Sequence, residues 1–220
     1  MTEETGFKLE LEDFINNRPF LYHLTDRENL PSILERGEIW SAELLCKSAF
    51  TSNKKRKTFL RTKRPEHTLI VVNGKDIRIR DQKPISMTVL QRSLSNGWQA
   101  EDFIEHLNKR VFMWPTLNRL IRHFNRYRHE NPVIIRVSSE EIFNVNEVIE
   151  FAPINSGATR CHPSYNGNAP TRGKETFLPS NQYTSSVASV AEVTFRPHCV
   201  LPDQVWYSSL PSGAWTKHSL

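Results

Sequence analysis

Long apolar runs are missing from this sequence. The longest, such as Thr68 to Val72, fall far short of the ~20 residues that a membrane-spanning helix needs, so no transmembrane segment is expected. Cysteine is scarce. Cys46, Cys161 and Cys199 are odd in number and widely spaced, which argues against a disulfide framework and fits a reducing compartment. The opening stretch, Met1 to Asp13, is acidic rather than basic and apolar, so no secretory leader is expected and the chain reads as cytoplasmic. Walker loop, GxGxxG, HExxH and GxSxG are all absent, which removes the common phosphate-loop, zinc-protease and hydrolase signatures. The adjacent pairs Cys161-His162 and His198-Cys199 lack the spaced-ligand pattern of zinc sites, so no metal site is expected. No local pattern marks a nucleophile, and no internal repeat is visible. What remains is 220 residues with 38% apolar and 24% charged side chains, enough for one domain with a real core.

Charge is unevenly placed. Residues 1–45 carry a balance of −6, residues 46–83 of +9 and residues 106–130 of +5, within a net charge of +5. The first basic block holds Lys54-Lys55-Arg56-Lys57 and Arg61-Thr62-Lys63-Arg64, with Phe59 between them. The second interleaves Arg119, Arg122, Arg126 and Arg128 with Phe124 and Tyr127. Cations beside aromatic rings suit a single-stranded nucleic acid, whose bases stack while its phosphates are tracked. The plainer reading is a solvated surface.

Pro19 to Leu24 reads as a strand, Thr25 or Asp26 as a cap, and Leu30 to Arg36 as a helix with Leu30, Ile33 and Leu34 buried, ended by Gly37. Residues 47–66 read as a polar loop or exposed arm. Asn73-Gly74 between Leu69–Val72 and Ile77–Ile79 predicts a hairpin. Helices are expected over 100–108 and after Pro115, placed in the first turn, with Leu117, Leu120, Ile121 and Phe124 at helical spacing. Pro132 to Val137 predicts a buried strand, and Ser138-x-x-Glu141 the capping box of a short helix. Residues 152–186, rich in Pro, Gly, Asn and Ser, predict a long loop that is either functional or disordered. Val187 to Phe195 and Val205 to Tyr207 predict further strands. The pattern is one α+β domain over residues 1–220.

Two residues are out of place for a core. His23 lies in the apolar strand Leu21-Tyr22-His23-Leu24-Thr25, and Glu192 in Ser189-Val190-Ala191-Glu192-Val193-Thr194-Phe195. His23 is either a hydrogen-bonded core residue or a polar group at a strand end aimed into a cleft. Glu192 either faces water, sharing a face with Thr194, or meets a cation or ligand, since a buried carboxylate is costly without one. Its strand follows the long loop, a natural lid.

Taken together, Tyr22-His23-Leu24-Thr25, Asn29-Leu30, Ile33-Leu34 and Gly37, then Ile134 to Ser139, then Val190-Ala191-Glu192-Val193 and Leu201-Pro202 to Tyr207 resemble, in order, the DarT group of mono-ADP-ribosyltransferases. Arg80-Asp81-Gln82-x-Pro84, Arg110-Val111-Phe112-x-Trp114-Pro115 and Asn155-Ser156-Gly157 resemble hallmarks of a related bacterial family without a characterised function. The resemblance covers about two-thirds of the chain. The arm at 47–66 has no counterpart, and Phe112-Met113-Trp114-Pro115 replaces that group's aromatic-Pro-Met-Leu-Tyr segment.

The resemblance implies an α+β fold with an ADP-ribosyltransferase-like split mixed β-sheet and flanking helices. It implies NAD as co-substrate and transfer of one ADP-ribose to nucleic acid, single-stranded DNA or RNA, with protein as a further acceptor. It also implies a toxin role in an antiphage or toxin–antitoxin pair, with an antitoxin protein as partner. Glu192 would be the catalytic carboxylate, stabilising the oxocarbenium-like transition state and accepting the acceptor's proton. His23 would hold a ribose hydroxyl, with Thr25 and Asn29 fixing adjoining groups. Arg80 would be the functional arginine, with Arg110 competing to meet the pyrophosphate, and Tyr22 or Trp114 would stack on nicotinamide. Two alternatives stand beside this: an NAD glycohydrolase using water, and a non-catalytic module that binds nucleic acid or protein.

Overall fold

Local capping chemistry starts most of the helices. The computed structural model describes residues 8–220; the expectation about the opening segment falls largely on residues 1–7, outside the described residues. Helix α1 (Leu11–Asn17) precedes strand β1 (Phe20–Asp26). The Asp26 carboxylate accepts from Glu28 N and opens a 3-10 turn that runs into α2 (Leu30–Arg36), which Gly37 closes at φ +64°. After β2 (Glu38–Trp40), Ser41 caps α3 (Ala42–Ala49) and Ser52 caps α4 (Asn53–Arg61). Strands β3 (Thr68–Val72) and β4 (Lys75–Ile79) form the expected hairpin, with Asn73 and Gly74 both at positive φ. Then come α5 (Met87–Ser93), α6 (Ala100–Asn108), β5 (Val111–Met113) and α7 (Leu117–Tyr127). Strand β6 (Pro132–Ser138) ends on Ser138, whose hydroxyl accepts from Glu141 N to cap α8 (Ser139–Asn144). Strands β7 (Ile149–Ala152), β8 (Glu192–Phe195), β9 (His198–Val200), β10 (Gln204–Ser208) and β11 (Thr216–Ser219) complete the chain.

The architecture is α+β, with several small antiparallel sheets. One sheet has the order β1-β6-β10-β11 and a second β5-β8-β7; β2-β9 and β3-β4 are two-stranded. Every strand ladder among the described residues is antiparallel, where a mixed sheet is expected. Tyr22 and Trp114 exchange backbone hydrogen bonds of 3.0 and 2.8 Å and join the first two sheets. Between those sheets lies the main core. Leu21, Ile135, Val137 and Val205 come from one sheet and Met113, Phe151, Val193 and Phe195 from the other. The period-2 alternation that buries Val193 and Phe195 sends Glu192 and Thr194 to the opposite face.

Three further expectations are corrected. Residues 47–66 are mostly helical: Leu45, Cys46 and Leu60 are buried, and the Phe50 and Phe59 rings pack edge to face at 5.6 Å. Arg61 ties α4 to α6 through Asp102 and Glu105. Pro115 precedes the Thr116 cap rather than entering the first turn of α7, and Ile121 is exposed. The strand expected over 187–195 is a 3-10 turn at Val187–Ser189 followed by four strand residues. The long loop has little regular structure, yet it is ordered around Arg172. That fully buried guanidinium donates to the Pro170 carbonyl (2.6 Å) and the Ala158 carbonyl (2.6 Å).

Arg110, at the entry to β5, reaches across β8 to Glu150 of β7. Its Nε and Nη2 donate to both carboxylate oxygens at 2.9 and 3.0 Å, and Nη1 donates to the His106 carbonyl at 2.7 Å. Both side chains are buried, and a half-exposed Arg196 also reaches Glu150 at 3.4 Å, so removing Arg110 leaves the buried carboxylate with only that weaker partner. Arg110→Ala is expected to lose about 3–5 kcal/mol of stability in urea unfolding, and Arg110→Met with Glu150→Leu markedly less. Equal losses from the single and double variants would show that the pair is not what holds the strands together.

Candidate functional site

A cavity of about 590 Å³ opens where the ends of β1 and β4, the start of β8, helix α7 and the long loop converge. That size falls within the ~300–1,000 Å³ range of ligand pockets. His23, Thr25, Asn29, Arg80, Arg110, Trp114 and Glu192 all line it, as do Asp81, Gln82, Pro84, Asn155 and Gly157 from the segments singled out in the sequence. His23 and Glu192, 169 positions apart, thus share one cavity.

Glu192 is the first residue of β8 and only 3% exposed; it does not face bulk water. One carboxylate oxygen, Oε2, accepts from Ser156 N at 3.1 Å and from Ser156 Oγ at 2.6 Å. Oε1 has no hydrogen-bond partner among the described residues. Burial pushes the carboxyl up to about 7, against the opposing pull of the Ser156 hydrogen bonds and of Arg172 and Arg119. A carboxyl poised near neutrality, with one oxygen anchored and one free, is suited to exchange a proton at physiological pH.

His23 Nδ1 lies 2.9 Å from the Phe112 carbonyl. A carbonyl only accepts, so Nδ1 carries the hydrogen. Burial depresses the imidazole to about 4, which keeps it neutral. Nε2 is therefore a lone-pair acceptor with no partner among the described residues, suited to a ligand hydroxyl. Phe112 is in register with Thr194, so this bond ties the end of β1 to the sheet that carries Glu192. Asn29 has a different task. Its amide donates to Thr25 Oγ1 (3.0 Å) and the Arg78 carbonyl (2.9 Å) and accepts from Arg78 N (2.9 Å). These bonds lock β4 beside β1, so Asn29 positions the wall rather than offering free polar atoms.

The two arginines are not equivalent. Arg110 is closed on Glu150 and His106, as described above, and is structural. Arg80 donates Nη2 to the Thr25 carbonyl at 2.8 Å and stacks 4.3 Å from the Tyr127 ring centroid. Its Nε and Nη1 are buried without a partner. Unsatisfied guanidinium donors beside a cavity are suited to an anion. Trp114 lies between α7 and the cavity, its ring 5.2 Å from that of His123. Tyr22 is not a lining residue. Strand alternation turns its ring to the other face of β1, where it packs 6.2 Å from Trp215, so the stacking role assigned to it is withdrawn.

Phe124 is a core residue, and Tyr127, packed in the same cluster, lines the cavity with its ring occupied by Arg80. Arg119, Arg122 and Arg126 line the cavity, whereas Arg128 does not. Ten lining side chains are arginines and only two, Asp81 and Glu192, are carboxylates. Sequence reading missed Ser156 and Arg172 as parts of the site. Asn155-Ser156-Gly157 was conspicuous as a segment, but nothing in it indicated a bond to a carboxylate 36 residues away. Arg172, alone in a Pro- and Gly-rich stretch, carried no signal. His162 lines the cavity, Cys161 is exposed and Cys199 is buried in the core. Among the described residues no group of three or more His, Cys, Asp or Glu is arranged to hold a metal, and no helix is long and apolar enough to cross a membrane.

Because the folded carboxyl of Glu192 titrates higher than the unfolded one, its contribution to stability is complete below about 4.5 and is lost as pH rises to about 7. Glu192→Gln, neutral at every pH, escapes that loss. It is expected to match the wild type in urea unfolding at pH 4 and to exceed it at pH 8 by on the order of 3 kcal/mol. No gain at pH 8 would contradict the raised carboxyl.

No curated protein and no solved structure matches this chain. One family model does, over residues 19–203, a span that takes in every site residue described above. The chain therefore belongs to DUF7002, a family of unknown function.

Proposed function

We propose that the protein is an NAD-dependent mono-ADP-ribosyltransferase acting on nucleic acid. The observation that carries this reading is the placement of a buried, half-anchored carboxylate, a neutral histidine acceptor and an unsatisfied arginine around one cavity of ligand size. The order of motifs shared with the DarT group supports it.

The residues fit the demands of the reaction. Arg80 offers two free donors to the pyrophosphate of the substrate. His23 Nε2 accepts from a hydroxyl of the nicotinamide ribose. The free oxygen of Glu192 accepts from the ribose 2′-hydroxyl and stabilises positive charge growing on the sugar, in a site where burial strengthens the interaction. The glycosidic C–N bond breaks and its electron pair leaves with nicotinamide. A lone pair on the acceptor forms the new bond to the same ribose carbon, and Glu192 takes the proton that the acceptor gives up. Ser156 holds the carboxylate in place throughout. The arginine-rich lining suits an anionic acceptor. On this reading the chain is the toxin of an antiphage or toxin–antitoxin pair, with a protein antitoxin as partner.

Glu192→Gln is expected to lower nicotinamide release from NAD by ~10²–10³-fold while NAD affinity stays within a few-fold, because the loss falls on the transition state. Wild-type turnover is expected to rise with pH through about 7 as the carboxyl ionises. Undiminished release by Glu192→Gln would remove this group from the chemistry, and free ADP-ribose as the sole product would make the protein a glycohydrolase. Arg80→Met is expected to raise KM for NAD at least tenfold; an unchanged KM would take Arg80 out of phosphate binding.

A further inference from the structure

Helix α7 carries more positive charge than the fold uses. Its buried face, Leu120, Phe124 and Tyr127, packs on β1 and β6. Arg119, Arg122 and Arg126 recur at i, i+3 and i+7 and line the cavity. None of the three forms an ion pair among the described residues. Of the seven other lining arginines, Arg110 pairs with Glu150 and Arg78 with Asp26, Arg64, Arg80 and Arg172 donate to uncharged oxygens, Arg36 stacks on Trp40, and Arg160, on the long loop, is exposed.

The arrangement opposes helix stability twice. Like charges three and four residues apart repel. Arg119 also lies in the first turn, where the helix dipole disfavours a cation and where α7 has no acidic residue. A charge stripe held against both effects, with no ion pair among the described residues and only the Glu192 charge near Arg119, is a binding element for an external anion.

Its direction identifies the anion. Arg119 is half-buried and near enough to Glu192 to feel its charge, while Arg122 and Arg126 are exposed. The stripe therefore runs from the catalytic carboxylate toward solvent over ~10 Å of helix. An anion that extends out of the cleft is needed, with charges repeating along its length. The cavity admits a single base but not a duplex, and a base modified in such a pocket must leave its stack.

We propose that the α7 arginine stripe binds the phosphodiester backbone of a single-stranded nucleic acid and delivers one nucleotide to Glu192, leaving Arg80 to the dinucleotide. This rests on the transferase reading for the last step only; strand binding does not need NAD. The test is fluorescence anisotropy of a labelled 12-nucleotide single strand without NAD, over a range of salt concentrations. Arg122→Gln with Arg126→Gln is expected to weaken binding at least tenfold at low salt. It should also flatten the slope of log K against log salt by ~1.4, about 0.7 for each phosphate no longer neutralised. A duplex of the same length is expected to bind the wild type more weakly than the single strand. Lys54→Gln with Lys55→Gln, which removes the same charge elsewhere, is expected to change binding less than threefold.

Equal losses from the two double variants would overturn the stripe in favour of a diffuse positive field. Loss of NAD affinity in the arginine variant, measured by calorimetry, would reassign the stripe to the dinucleotide. Preference for the duplex would overturn the single-strand assignment. Stripe-dependent strand binding in a protein that never turns over NAD would uphold this inference while refuting the transferase.

Discussion

A carboxylate taken out of water is the constraint on which the rest of the site depends. Glu192 begins a strand whose alternate residues fill the main core, and its own side chain, on the opposite face, lines the cavity at only 3% exposure. Two Ser156 donors hold one oxygen, and Arg119 and Arg172 lie near enough to favour its charge. Burial still prevails and the carboxyl titrates near neutrality. A mutationally neutral core would put an apolar residue here. A carboxylate kept at this position, half satisfied and beside a cavity, is what a proton-exchanging site requires.

The surrounding structure holds that carboxylate in place. Arg110 and Glu150 clamp the strands on either side of β8. Arg172 gathers the carbonyls of the long loop and so brings Ser156 to Glu192. His23 couples β1 to β5 through the Phe112 carbonyl, and Asn29 couples β1 to β4. These groups come from segments remote in sequence, and each bond serves both to close the fold and to form a wall of the cavity. The site and the core are therefore stabilised by the same interactions.

Much of the frame was legible because its causes are local. Asp26 and Gly37 bound α2, Asn73-Gly74 turns the hairpin, and Ser138 caps α8. The helices of residues 42–61 were not legible. The second of them is dominated by Lys and Arg, and their stability comes from Ser41 and Ser52 caps and from packing of Cys46, Phe50 and Phe59 that only the tertiary structure supplies. The site divides in the same way. His23 and Glu192 stand out because each is polar within an apolar strand. The choice between Arg80 and Arg110 was closed to sequence reading, since it turns on Glu150, 40 positions from Arg110. Ser156 and Arg172 act through interactions of similar range. Tyr22 was misassigned because adjacency to His23 in a strand places it on the opposite face.

The arginine lining gives the cavity its positive character, and Glu192 places one buried carboxylate within it. The most direct measurement is an NMR titration of the Glu192 side-chain carboxyl carbon, assigned by comparison with Glu192→Gln, with and without NAD. The expected result is a midpoint near pH 7 in the free protein that falls on saturation with NAD, as a ribose hydroxyl and the positive nicotinamide ring favour the ionised form. A midpoint in the ordinary carboxylate range, unmoved by NAD, would contradict both the buried carboxyl and its proposed substrate.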